Sequence, residues 1–155
     1  VMISDCTVAL GPRPYTQGID ISFSMHRHMS MVEGCEVSGG AEGIVTHSSM
    51  VSVERNRVHG TSLRGITMTE MSMGEVVGNH VSGALGVGIF CGDRSECEIG
   101  RNVVSGTRHD PAGDLSRVGV GIETDFDSVA QLEDNVLVGN PVATRAFAGA
   151  RFAQP

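Results

Sequence analysis

Two short patterns recur in step along almost the whole chain, and this recurrence limits the fold more than any other property of the sequence. In the first, a Cys or Asn has an aliphatic residue three places before it and another two places after it. It reads Ile3-Cys6-Val8, Val32-Cys35-Val37, Val53-Asn56-Val58, Val76-Asn79-Val81, Ile99-Asn102-Val104 and Leu132-Asn135-Leu137. The second is a Gly-Ile pair, at Gly18-Ile19, Gly43-Ile44, Gly65-Ile66, Gly88-Ile89 and Gly121-Ile122. From Cys35 onward the first pattern returns at intervals of 21, 23, 23 and 33 residues. The long interval is a normal unit carrying a ten-residue insertion, because 19 residues separate Asn102 from Gly121 where the two preceding units have nine.

A period near 22 residues also fits a leucine-rich repeat, but leucine is scarce here and no stretch has a 3.6-residue apolar period. The segments are short, β-branched and alternating, with Gly, Ser and Asn between them, which reads as strand and turn. Three strands per unit, stacked unit on unit, form parallel sheets with rungs about 4.8 Å apart. Parallel strands joined by crossovers wind right-handed in nearly all cases. The expected fold is therefore all-β, a right-handed parallel β-helix solenoid of five to six coils of about 22 residues. Glycine numbers 21, which suits many tight turns, but it has no three-residue period and so excludes collagen.

Residues 1–155 read as a single domain. Residues 107–117 form its loop insertion, and 139–155 a degenerate last coil where Gly-Ile gives way to an Ala-rich tail. The chain starts inside a strand at Val1-Met2-Ile3 without a capping helix. Bare end coils offer pairing edges and the prospect of end-to-end self-association, so the expectation is a segment of a larger protein.

Charge narrows the partners. The net charge is −7, and every basic residue is Arg. An acidic chain with no basic run is a poor match for nucleic acid, where phosphate contacts dominate affinity, or for an anionic membrane. No apolar stretch reaches the length of a membrane span, so membrane insertion is not expected.

The run Val-x-x-Asn-x-Val, a turn, then Gly-Ile resembles the parallel β-helix repeat of pectate-lyase-like proteins, over about residues 1 to 138. The resemblance implies an internal asparagine ladder, onto which Asn56, Asn79, Asn102 and Asn135 map, while Cys6 and Cys35 depart from it. It also implies that the outer face of the strand starting at Gly-Ile carries the substrate groove. The function it points to is a carbohydrate-active or carbohydrate-binding module, of lyase, hydrolase or epimerase type, acting on an extracellular or cell-surface polysaccharide. By the same resemblance the location is secreted, periplasmic or cell surface. The fold also hosts non-enzymatic structural or adhesive solenoids and metal-handling accessory modules, so all three classes stay open.

On that strand the outward pairs are Asp20/Ser22, Val45/His47, Thr67/Thr69, Phe90/Gly92 and Glu123/Asp125. The last pair, with Asp127 nearby, is the most acidic, and the insertion enters the same strand. Two carboxylates at i and i+2 lie about 6–7 Å apart, a spacing at which a general acid and base can flank a glycosidic bond. Glu123 and Asp125, with His109 and Asp110 from the insertion, are therefore the candidate catalytic residues. Arg108, Phe90 and Asp127 are the candidate substrate-binding ones. Glu123, Asp125 and Asp127 could equally hold Ca²⁺, the one cofactor the pattern suggests. A solvated acidic strand beside a variable loop would look the same in sequence.

Two further groups have competing readings. Met25-His26-Arg27-His28-Met29, with Met31, Met68, Met71 and Met73, offers thioether and imidazole ligands suited to Cu(I), yet Met29, Met50 and Met73 share a repeat column, as a packed stack does. Cys91 and Cys97 both fall on inward positions and could be bonded, though buried thiols are the commoner outcome.

Overall fold

The computed structural model describes residues 1–11, 13–25, 27–111 and 118–153. The chain winds through three strands per rung. The first rung holds β1 (Met2–Ser4), β2 (Thr7–Ala9) and β3 (Gln17–Ser22), and the second β4 (Ser30–Glu33), β5 (Glu36–Ser38) and β6 (Glu42–His47). Next come β7 (Met50–Glu54), β8 (Arg57–His59) and β9 (Arg64–Thr69), then β10 (Met73–Val77), β11 (His80–Ser82) and β12 (Val87–Cys91). The fifth rung holds β13 (Glu96–Gly100), β14 (Val103–Ser105) and β15 (Val120–Thr124), and the sixth β16 (Val129–Glu133), β17 (Val136–Val138) and β18 (Val142–Ala146). A further strand, β19 (Arg151–Ala153), continues the stack.

Every pairing between these strands is parallel and joins equivalent strands of successive rungs. They form a seven-stranded sheet from β1 to β19, a six-stranded sheet from β2 to β17 and a six-stranded sheet from β3 to β18. We call these the first, second and third sheets. The aliphatic columns seen in sequence line the interior. Val32, Val53, Val76 and Ile99 pack in one continuous core with Val37, Val58, Val81 and Val104, and with Ile44, Ile66, Ile89 and Ile122. Each such side chain contributes roughly 1.5–3 kcal/mol when fully buried.

The glycine of each Gly-Ile pair has a steric cause. A Cβ on Gly65 would lie 2.4 Å from Val81 Cγ1 and 2.6 Å from the carbonyl oxygen of Gly88, so no side chain fits there. The column runs on past the last Gly-Ile pair, because Thr144 of β18 is the register partner of Ile122. Two regular strands, β18 and β19, joined by a turn at 147–150, therefore stand where a degenerate coil is expected. Backbone pairing tolerates Ala and Thr at these places once the preceding rung supplies a template.

Two polar columns tie the rungs at the corners. Asn56, Asn79, Asn102 and Asn135 lie one above another. The Asn79 carboxamide oxygen accepts from the Asn56 backbone N–H (2.9 Å) and side-chain Nδ2 (3.0 Å). Its own Nδ2 donates to Val53 O at 2.8 Å and to Asn102 Oδ1 at 3.0 Å. The same bonds link Asn102 to Asn135. At the corner between the third and first sheets runs a serine column that the repeat reading did not single out. Ser49, Ser72, Ser95 and Ser128 each accept, through Oγ, the backbone N–H of the equivalent serine one rung earlier, at 2.9, 3.3, 3.1 and 3.0 Å. Both columns satisfy turn backbone groups that would otherwise be buried without partners.

Cys91 and Cys97 form a disulfide across the interior, joining the third sheet to the first. Buried thiols, the commoner expectation, are thus not what the chain adopts. Both side chains point inward from the two ends of one short turn, which brings the sulfurs together.

Candidate functional site

The acidic rung lies on the outer face of the third sheet, as its alternation requires, but it does not face solvent. Glu123 is fully buried and Asp125 is 3% exposed. The register partner of Glu123 on the next rung is Arg145. Arg145 donates to Glu123 Oε2 through Nε at 2.8 Å and approaches it with Nη2 at 2.5 Å. Glu123 Oε1 has no hydrogen-bond partner. Burial pushes the Glu123 carboxyl above its ordinary value in spite of the Arg145 charge, and burial also raises Asp125, helped by the nearby Asp93. The catalytic role expected of an exposed Glu123 is therefore not supported: its carboxylate is engaged by Arg145 and closed to a polymer substrate.

Phe90 is also covered. It is 1% exposed, and the Arg64 guanidinium lies 3.7 Å above its ring centre. It packs with Val87 and Val120 in a second small apolar cluster, so it is a structural side chain rather than a sugar platform.

The insertion enters at the opposite end of β15 from Asp125 and Asp127. Arg108 is bridged to Leu85 and His109 to Val118, both arginine and histidine being exposed. Asp110 lines a separate groove with Arg13, Tyr15 and Leu63. The five residues of β15 put about 16 Å between these groups and the acidic end of the strand, so His109 and Asp110 do not join Glu123 and Asp125 in one site. The remainder of the insertion, residues 112–117, lies outside the described residues, as does His26 of the Met-His segment.

Among the described residues, no three His, Cys, Asp or Glu side chains converge to hold a metal. The Ca²⁺ expectation at Glu123, Asp125 and Asp127 fails for a clear reason, since Arg145 already neutralises Glu123 and Asp127 projects from the turn. The methionines disperse as well. Met68 is buried in the core, Met71 is on the turn after β9, and Met29, Met50 and Met73 line a groove on the outer face of the first sheet. Met29 and Met73 are 42% and 41% exposed, so that column is not packed inside.

What the structure builds instead is a shelf along the corner after the third sheet. Gly18 to Ser24 and Gly43 to Ser49 are six residues apart, whereas Gly65–Ser72, Gly88–Ser95 and Gly121–Ser128 are seven apart. The serine column anchors each turn at its end, so the extra residue is pushed outward. Two consecutive residues then take the left-handed conformation in each longer turn: Glu70 and Met71, Asp93 and Arg94, Phe126 and Asp127. A non-glycine residue in this region costs about 1–2 kcal/mol. The same conformation occurs singly at turns elsewhere, at Asp5, Arg55, Arg101 and Asp134, so what sets this corner apart is the pair of adjacent side chains that each longer turn presents.

Those six side chains, with Ser48 and Ala148, line an open groove of about 550 Å³. Phe126 is 52% exposed and tilts against Phe147 with ring centres 6.3 Å apart. Asp93 Oδ2 accepts from the Thr69 hydroxyl at 2.5 Å. Of the residues expected from sequence, Asp127 lies in this groove and Asp125 sits behind it, its Oδ1 accepting from the Phe126 N–H at 2.6 Å. Glu70, Asp93, Arg94 and Phe126 were missed, and Met71 stood out only as a candidate thioether ligand. The signal that finds them is the change in Gly-to-Ser spacing from six to seven.

A family model for the right-handed β-helix region matches residues 1–152. The chain belongs to this right-handed β-helix family. No curated protein and no solved structure matches the chain.

Proposed function

We propose that the chain is a glycan-recognition module and that the shelf at Glu70, Asp93, Phe126 and Asp127 receives the sugar. The observation that carries this reading is an open groove in which a half-exposed aromatic ring stands beside three carboxylates and the Arg94 guanidinium. A pyranose offers a C–H face that packs on an aromatic ring and vicinal hydroxyls that donate to carboxylate oxygens, so a site for it needs both surfaces together. The size is also suitable, since ligand sites commonly fall between about 300 and 1,000 Å³. The excess of carboxylates favours a neutral glycan or one bearing amino groups over a polyuronate. A location outside the cytoplasm goes with this reading, and the Cys91–Cys97 disulfide supports it, because such bonds persist in oxidising compartments.

The test is a glycan array probed with wild-type protein and with Phe126→Ala. Binding of a glycan class by the wild type, reduced at least tenfold in the variant at an unchanged melting temperature, is expected. If no glycan binds, the chain is a structural or adhesive solenoid.

One observation favours a second reading, hydrolysis of the bound glycan. Asp125 lies behind the groove, its carboxyl raised by burial and further by the charge of Asp93, which faces the groove. A carboxyl that holds its proton more tightly suits a general acid, and a groove-facing carboxyl beside it suits a general base. Release of reducing ends by wild type, lost in both Asp125→Asn and Asp93→Asn, would support it. Binding without release would leave recognition alone.

A further inference from the structure

We propose that Cys6 and Cys35 form a disulfide that staples the first rung to the second, a modification site separate from the Cys91–Cys97 bond. The two thiols occupy the repeat position that Asn56, Asn79, Asn102 and Asn135 hold on later rungs. The carboxamide column stops there: Asn56 Oδ1 accepts the Cys35 backbone N–H at 2.9 Å, and beyond it no Asn remains to tie Cys35 to Cys6. In place of that tie, the Cys6 and Cys35 sulfurs lie 2.8 Å apart, neither being bonded to another cysteine.

The backbone holds this approach from both sides. Before the cysteines, Ser4 pairs with Glu33, and after them, Thr7 pairs with Glu36. Two residues fixed on neighbouring parallel strands are about 4.8 Å apart, inside the range of about 4.4–6.8 Å between Cα atoms that a disulfide spans. Bond formation therefore needs only rotation of the two side chains, and the pair has the high effective concentration of an intramolecular reaction.

Access is asymmetric. Cys35 is 1% exposed, whereas Cys6 is partly exposed at the outermost described rung, so an incoming oxidant meets Cys6 first. The contact with Cys35, together with burial, pushes the Cys6 thiol up to about 11. Cys6 thus rests as a neutral thiol and gives its proton to water before it reacts. The oxidant is a disulfide, either a small one such as glutathione disulfide or the catalytic disulfide of an oxidoreductase. The Cys6 thiolate attacks one of its sulfurs, forming a mixed disulfide and releasing one thiolate. The Cys35 thiolate then attacks the Cys6 sulfur, and a second thiolate leaves. Two thiols of the chain are oxidised and one external disulfide is reduced to two thiols.

The experiment equilibrates the whole chain with glutathione disulfide or with reduced glutathione, then maps peptides by mass spectrometry and counts free thiols. Expected are a linked Cys6–Cys35 peptide pair lighter by about 2 Da than its reduced parts, a fall from two free thiols to none, and a melting temperature higher by several degrees. Cys6→Ser, which keeps Cys91–Cys97, should lose the oxidation-dependent rise. The peptide map needs no variant, so a folding defect in Cys6→Ser does not spoil the test. Two thiols that remain titratable, a glutathione adduct that never resolves, or chain-to-chain dimers instead of the internal link would each overturn the proposal.

Discussion

Arg145 reaches back one rung to hold a single oxygen of Glu123, with Nε at 2.8 Å and Nη2 at 2.5 Å, and leaves the other oxygen buried without a partner. This pair converts the most acidic rung of the sequence from a working surface into a covered ion pair. Removing one side of such a pair leaves a desolvated charge, which costs more than the pair contributes. Arg145→Met is therefore expected to destabilise the fold by about 3 kcal/mol, while Glu123→Gln costs less, because Arg145 is partly exposed and can turn to water. Urea denaturation of both variants checks the order.

Acidity gives a second expectation. Folding raises the carboxyls of Glu123 and Asp125, so the folded chain binds their protons more readily than the unfolded chain does. Their stabilising contribution is present at low pH. It is lost as pH climbs from the ordinary values of 4.5 and 3.8 through the raised ones. Wild type minus the Glu123→Gln/Asp125→Asn double variant should then show a stability difference that falls across that interval. A flat difference would mean that neither carboxyl is perturbed.

The polar columns differ in what they hold. Asn79 makes bonds to Asn56, Asn102 and Val53, and its loss strands buried groups on both adjacent rungs. Asn79→Ala should cost about 3 kcal/mol, at the upper end for a buried group left unsatisfied. Ser95→Ala removes one acceptor, for the Ser72 N–H, and should cost about 1 kcal/mol. Thermal or urea melts that rank the two the other way would reverse this weighting.

The disulfide closes a loop with a sequence separation of only six. Chain-entropy arguments give so short a loop about 2 kcal/mol. Cys91→Ala/Cys97→Ala should lower the denaturation free energy by about that amount in urea melts.

The shelf is strained by design of its length, and that can be measured. Met71 takes a φ of 62° and is 56% exposed. Met71→Gly relieves about 1–2 kcal/mol of left-handed strain and adds about 0.5–1 kcal/mol of chain entropy cost. The net expectation is a gain of about 0.5 kcal/mol in stability together with weaker glycan binding. A loss of stability would show that Met71 packs more than its exposure suggests.

The parts legible in sequence were those the backbone enforces on every rung. Gly65 and its equivalents admit no side chain, and Val53 and its equivalents must fill one interior, so both columns stay visible as spelled residues. Arg145 was hidden because the Gly-Ile pair that would have set its register is Ala143-Thr144, and without that mark its place beside Glu123 could not be counted out. The shelf escaped for another reason. It depends on one added residue per turn, visible only once the serine column supplies a second fixed point from which to measure. The cysteine pairing across the interior depends on which way two turn-flanking side chains meet, which spacing alone leaves open.

On the proposed reading, the longer turns would also act as a ruler. They repeat on three consecutive rungs, about 4.8 Å apart, and each presents a different pair of side chains to the same groove. A polymer lying along the stack meets graduations rather than copies: Glu70 and Met71, then Asp93 and Arg94, then Phe126 and Asp127. Shifting such a ligand by one rung exchanges every contact for a chemically different one. If the proposed glycan lies along the stack, it would have one preferred alignment and a defined direction there.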